Sequence, residues 1–170
     1  LHHPGGDLII SEPAEHPIHT RIHRDKPEMH CVAHLHSPHS TLLGVVNKPI
    51  VPVFNQAFRF YKGVPTFDDP RLVMTDEHAG VLSDALGDKL ACQMRGHGNV
   101  IVGETPEIGL MNVYFLEENA KYQIEAEKQG GAVPFPIEVI EEAYKIQRNM
   151  KTPVAHLVWK YFERRVMMTG

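Results

Sequence analysis

At 170 residues the chain falls within the usual span of one domain and is long enough to bury a real core. Its apolar share of 42% and charged share of 22% are those of a globular protein and exclude disorder. A net charge of −4, with no block of like charge, excludes the electrostatic footprint of a nucleic-acid or anionic-membrane binder.

A small-molecule partner is therefore expected, with neither nucleic acid nor membrane. No run of about 18 apolar residues is present to span a bilayer, and no charged-then-apolar leader opens the chain. Cys31 and Cys92 sit in apolar stretches and form no Cys-x-x-Cys pair, as small buried residues of a reducing, cytoplasmic compartment would. The opening "LHHPGGDLIISEPAEH" lacks an initiator methionine, so the chain reads as processed or incomplete, and His2 and His3 are given no role.

In chain order, "DLIIS" at 7–11 reads as a strand between "PGG" and Pro13. Ile18 and Ile22, at i and i+4, predict a helix from about Glu15 to Arg24, with Pro17 tolerated in its first turn. On that helix Glu15, His19 and His23 share one face. The adjacent apolar residues Cys31, Val32 and Ala33 predict a strand covered on both faces. Along it, His34 and His36 project to one side, roughly 6 to 7 Å apart.

"PHSTLLGVV" reads as a short helix, "IVPVF" as a strand with Pro52 near its edge, and "FRFYKGVPTFDDPRL" as a surface loop. Ala79, Leu82 and Leu86 recur at helical spacing up to Gly87. "KLACQMRGHGNVIVG" predicts strand, tight turn and strand, with His97 held between Gly96 and Gly98. A long helix follows from about Pro106 to Gln129, then two more at about 137–149 and 153–167. No internal repeat interrupts this pattern of a mixed antiparallel sheet with flanking helices and a helical tail.

Histidine is the outlier: of 12 in the chain, 7 fall between Glu15 and His39. Single histidines in strands usually cap, hydrogen-bond or sit at the surface. A His-x-His at a strand end, joined by a glycine-flanked histidine, also matches the three-imidazole shell that zinc and related metals take. On the residues alone both readings stay open. Glu15 is the natural fourth player, as ligand or proton-transfer group, with a helix-dipole carboxylate as the plainer alternative.

The run "EHPIHTRIHRDKPEMHCVAHLHSPHS", followed later by "RGHGNVIVG", resembles the class II aldolase and adducin family. Members typically show a Ser-Ser-Glu-x-x-x-His stretch, an Arg-Pro-Asp turn, a strand ending in His-x-His, and later a His-Gly before a strand. Here Glu15 matches the catalytic glutamate and His19 the helix histidine. Lys26-Pro27-Glu28 matches the turn, and His34, His36 and His97 match the metal ligands. The resemblance runs from about Asp7 to Gln129.

It implies a three-layer α/β/α fold around a mostly antiparallel sheet, in a single domain over 1–170 that lacks an N-terminal segment and carries C-terminal helices from about 137. It also implies a divalent metal, zinc first, with manganese, cobalt or iron as alternatives, and a homotetramer with sites between subunits. The implied chemistry is carbon–carbon bond cleavage, with metal and substrate oxygens holding an enolate: aldol cleavage, epimerisation or decarboxylation.

Departures narrow the choice. Pro13 and Ala14 stand where sugar-phosphate enzymes of the family carry two phosphate-binding serines, and the Gly-Asn-rich stretch bearing their other phosphate contacts is absent from the sequence. Phe54, Asn55 and Gln56 occupy the neighbourhood of the tyrosine proton donor of one aldolase branch. "EHPIH" looks more like the branch that decarboxylates hydroxylated ring acids.

The first expectation is thus a decarboxylase of a hydroxylated aromatic (dihydroxybenzoate- or phthalate-like) or small hydroxy acid, with Glu15 or His19 as the acid. An aldolase for an unphosphorylated hydroxy-ketone or 2-oxo acid comes next, then a sugar-phosphate aldolase or epimerase, then a non-enzymatic adducin-like interaction module. Arg21 and Arg95 are candidates to hold a substrate carboxylate, with surface or salt-bridge roles as the alternative, and His39 is a candidate to line the pocket.

Overall fold

A computed structural model describes residues 13–133 and 135–169, so the strand expected at 7–11 lies outside the described residues. Helix α1 (His16–Asp25) leads into strand β1 (Cys31–Leu35) and helix α2 (Pro38–Val45). A 3-10 turn at Asn55–Phe60 and the two-residue strand β2 (Thr66–Phe67) precede helix α3 (Asp76–Leu86). Strands β3 (Ala91–Met94) and β4 (Gly98–Gly103) then form a hairpin, followed by helices α4 (Pro106–Glu127), α5 (Ile137–Gln147) and α6 (Lys151–Thr169).

The four strands run in the order β1-β4-β3-β2, with β1–β4 and β3–β4 antiparallel and β2–β3 parallel. Side-chain alternation splits the sheet cleanly. Cys92, Met94, Val100 and Val102 pack on one face against Ile18 and Ile22 of α1 and Ala79, Leu82 and Leu86 of α3. Ala91 and Ile101 face the other way, onto Leu43 of α2, Met111, Phe115 and Leu116 of α4, and Ala155 and Val158 of α6. Helices thus cover both faces, the layered α/β/α arrangement expected. Among the described residues no helix is long and apolar enough to cross a membrane.

Helix starts follow local chemistry. The Thr75 and Thr105 hydroxyls accept the N–H groups of His78 and Ile108, capping α3 and α4. Pro17, Pro38 and Pro106 sit in first turns, where a missing N–H costs no intrahelical bond.

Three expectations are corrected. The "IVPVF" segment is not a strand: its backbone is held by amide side chains of α4. Asn119 accepts the Val53 N–H at 2.8 Å and donates to the Val51 carbonyl at 2.8 Å. Gln123 likewise accepts the Val51 N–H at 3.0 Å and donates to the Pro49 carbonyl at 2.9 Å. The segment expected as a plain loop contains the 3-10 turn and β2, whose flanks bond to β3 through Gln93 N–H to Pro65 and Arg95 N–H to Phe67. Strand β1 is also half-buried along Cys31–His34 rather than covered on both faces.

Candidate metal centre

Strand β1 brings His34 opposite Val100 of β4, and therefore onto the sheet face covered by α1 and α3. His36 lies just past the strand, and His97 lies in the turn between β3 and β4. That turn needs its glycines. Gly96 has φ +66°, a conformation side chains resist, and a Cβ on Gly98 would stand 2.5 Å from the Leu35 carbonyl oxygen and 2.6 Å from the His36 ring. The bare backbone at Gly98 lets β4 close on the end of β1 and bring His97 beside His34 and His36.

The three imidazole rings stand with centroids 5.0 to 5.1 Å apart. Glu15, the residue preceding α1, completes a group in which one ligand atom from each of Glu15, His34, His36 and His97 lies within 4.8 Å of the others. His97 and His34 keep 8% and 10% of their side-chain surface exposed, whereas His36 is exposed, so the cluster opens to solvent on the His36 side.

Proton positions make the cluster informative. Nδ1 of His34 lies 3.3 Å from the Asn99 carbonyl, which can only accept, so that nitrogen carries the proton and Nε2 carries a lone pair. This Nε2 faces Oε2 of Glu15 at 3.2 Å. A proton on Nε2 or a bound cation satisfies both atoms at that distance, and with the ring neutral the lone pair is free for a cation. Burial holds the His34 imidazole below its ordinary pKa, against the pull of Glu15 and the Asn99 carbonyl, which favours the neutral ligand form. Both ring nitrogens of His97 are buried without a hydrogen-bond partner, with Nε2 3.3 Å from Oε2 of Glu15. Orphaned buried donor atoms converging on one carboxylate oxygen fit a divalent metal.

Glu15 itself is anchored: its Oε1 accepts the Val73 N–H at 2.9 Å, which turns Oε2 toward the histidines. Burial alone would raise its pKa, but that hydrogen bond and the His97 and His34 imidazoles outweigh it, and the carboxyl is held below its ordinary value.

The other expected site residues stand apart from this group. Burial lowers the pKa of His19, whose ring meets the backbone of Val32. Arg21 lies in the α1–α3 seam, bonded to Asp25 at 2.7 Å and Asp76 at 3.3 Å, with its guanidinium over Gly80. Arg95 pairs with Asp68 at 2.7 Å. His39 is held by Glu117 of α4, which accepts both its Nδ1–H at 2.7 Å and its backbone N–H at 2.8 Å. The placement of Arg21 and His39 thus favours packing and capping over the substrate contact expected of them. Burial pushes the Cys92 thiol up to about 12, consistent with a small core residue, and Cys31 is half-buried.

Three supporting residues escaped the sequence reading: Val73 and Asn99, which act through the backbone, and Glu117. Only Asn99 had a signal, a polar residue inside the apolar run "NVIV". Its side chain donates to the buried Ser40 hydroxyl at 2.9 Å.

The fold agrees with the comparisons. Residues 4–124 match the family described as Class II Aldolase and Adducin N-terminal domain, and the chain belongs to that family. Among curated relatives it is 29% identical over 128 residues to a 3,4-dihydroxyphthalate decarboxylase of Arthrobacter keyseri, covering 72% of this chain and 52% of that protein. It is 30% identical over 123 residues to a 4-hydroxy-3-prenylphenylpyruvate oxygenase/4-hydroxy-3-prenylbenzoate synthase of Streptomyces roseochromogenus, covering 72% and 44%. The chain therefore spans about half the length of these relatives. An aldolase II superfamily protein from Pseudomonas syringae shares the fold with TM-score 0.79 at 22% identity, over 96% of this chain and 69% of that one.

Proposed function

We propose that this chain is the metal-binding catalytic domain of a carbon–carbon lyase, and that its reaction is decarboxylation of a hydroxylated aromatic acid. The observation that carries the reading is the convergence of Glu15, His34, His36 and His97 on one point, with Nε2 of His34 and of His97 at 3.2 and 3.3 Å from the same carboxylate oxygen. Relatives named as 3,4-dihydroxyphthalate decarboxylases support the substrate class, as do Pro13 and Ala14 in place of a phosphate-binding serine pair.

In this reading His34, His36 and His97 hold the metal, with zinc favoured by a three-imidazole donor set and manganese, cobalt or iron as alternatives. When bound, the cation supplies Lewis acidity toward adjacent substrate oxygens. The exposed side of His36 admits the substrate. Glu15, ionised at rest and fixed by Val73, takes the proton of a substrate hydroxyl on Oε2 and returns it to the ring carbon vacated by CO2, and the oxyanion left on the product takes from water the one proton the net reaction consumes. The bond electrons released with CO2 stay on that carbon until the proton arrives. His19, the alternative acid, is held by its contact with the Val32 backbone.

A homo-oligomer, tetrameric by family resemblance, and a reducing cytoplasmic compartment complete the proposal. The free thiols of Cys31 and Cys92 support the latter. Incubating metal-loaded protein with dihydroxyphthalate-type acids tests the reaction. Released CO2 supports decarboxylation, whereas an aldehyde from hydroxy-ketone substrates replaces it with aldol cleavage. Beta-adducin, 25% identical over 132 residues, keeps a third reading in view, an interaction module that neither substrate class would turn over.

A further inference from the structure

The strand ends opposite the metal cluster carry a second concave site. Gly103 closes β4 five residues beyond Gly98, a separation of roughly 17 Å along the strand, and Leu90 lies beside it just before β3. At this end a cavity of about 280 Å³ opens between the 3-10 turn, the α3–β3 connection and the α5–α6 junction. Arg59, Lys62, Lys89, Arg148 and Lys151 line it. Arg59, Arg148 and Lys151 also line a narrow adjoining recess of about 30 Å³.

The acids nearby are already engaged. Asp88 is bonded by both Lys62 and Lys89, and Glu104 by Lys151. Five cations against two carboxylates leave the site three charges positive. Among the described residues, neither Arg59 nor Arg148 has an ion-pair partner. Arg59 is the more telling of the two. It is half-buried, donates to the Asn112 side-chain carbonyl at 2.7 Å and the Gln56 carbonyl at 3.2 Å, and lies over the Phe115 ring. Burial lowers its pKa to about 10, the mark of a guanidinium whose charge is not met by a carboxylate. A partly buried, unpaired guanidinium facing a cationic cavity calls for an anion.

We propose that this cavity binds a small phosphate-class dianion, at a site separate from the metal centre. Two guanidiniums with free donors suit the forked oxygens of phosphate, and three excess positive charges suit a dianion better than a single carboxylate. The rings of Tyr61 and Tyr144, with centroids 5.0 Å apart and planes tilted by 36°, both lie at the cavity wall and give an organic substituent an aromatic surface. This site is at the far end of the sheet from Pro13 and Ala14, and the inference stands whether or not the proposed lyase reaction is correct.

The test is calorimetric titration of the full chain with inorganic phosphate at constant ionic strength, with phthalate as a carboxylate control. One saturable phosphate site is expected, with phthalate binding more weakly. His97→Ala, which disables the metal cluster, should leave phosphate binding unchanged. Arg148→Gln, at an exposed position that folding does not need, should weaken it about tenfold, the effect of one lost charge-assisted hydrogen bond. Absent saturation, binding lost in His97→Ala, or full affinity in Arg148→Gln would overturn the assignment. Phthalate binding to His97→Ala, whose metal cluster is disabled, as tightly as phosphate would make it a carboxylate site and overturn the phosphate class.

Discussion

Oε2 of Glu15 lies 3.2 Å from Nε2 of His34, a ring whose other nitrogen donates to the Asn99 carbonyl. In the neutral ring, carboxylate and imidazole lone pair oppose each other, the arrangement the proposed metal would relieve. Glu15→Gln keeps the shape but removes the basic oxygen. It is expected to retain metal while turnover falls about 10²- to 10⁴-fold, the usual contribution of a positioned proton carrier. Full activity in that variant would remove Glu15 from the mechanism.

Gly98 should be intolerant of any side chain. A methyl group there meets the Leu35 carbonyl at 2.5 Å and the His36 ring at 2.6 Å. Gly98→Ala is expected to displace His36 and weaken metal affinity about 10- to 100-fold, as loss of a ligand-orienting contact does. A metal titration identical to that of the unmodified protein would show that β1 and β4 need not approach so closely.

The amide latch on the 49–53 segment predicts a stability effect remote from the site. Asn119 is buried and makes two hydrogen bonds to that backbone. Asn119→Ala leaves Val53 N–H and Val51 C=O without those partners and should destabilise by about 2–3 kcal/mol in denaturant unfolding. A change below about 0.5 kcal/mol would mean that water replaces the amide at no loss.

Glu117 links stability to pH. Burial raises its pKa, but the N–H groups of His39 and Ser40, the Ser40 hydroxyl and the His39 ring outweigh burial, so the folded value lies below the ordinary 4.5. A carboxyl depressed on folding stabilises above its unfolded pKa, and that stabilisation is lost as pH falls through the folded pKa. The stability gap between the protein and Glu117→Gln should therefore be largest near neutrality and shrink below pH 4.5. A gap constant with pH would assign the carboxylate a purely steric role.

Much of this was legible in the sequence because its signals are local. Ile18 and Ile22, the Thr75 and Thr105 helix starts and the glycine-flanked His97 each announce their element within a few residues. The grouping of His34 and His36 was legible for the same reason, since they share one short stretch. "IVPVF" misled because its apolar pattern suits a strand, whereas its hydrogen bonds go to Asn119 and Gln123, some 70 residues away. Nothing local marks such a partner. The same holds for two partners of His39 and Arg21: Glu117 and Asp76 lie 78 and 55 residues away, so only the fold reveals them.

The most direct test of the metal centre is elemental analysis of the purified protein beside His34→Ala and His97→Ala. About one transition metal per chain is expected in the unmodified protein, with loss in both variants, as a site of three protein ligands requires. No metal after reconstitution, or metal retained undiminished in both variants, would contradict the lyase account and leave an adducin-like binding domain as the better description.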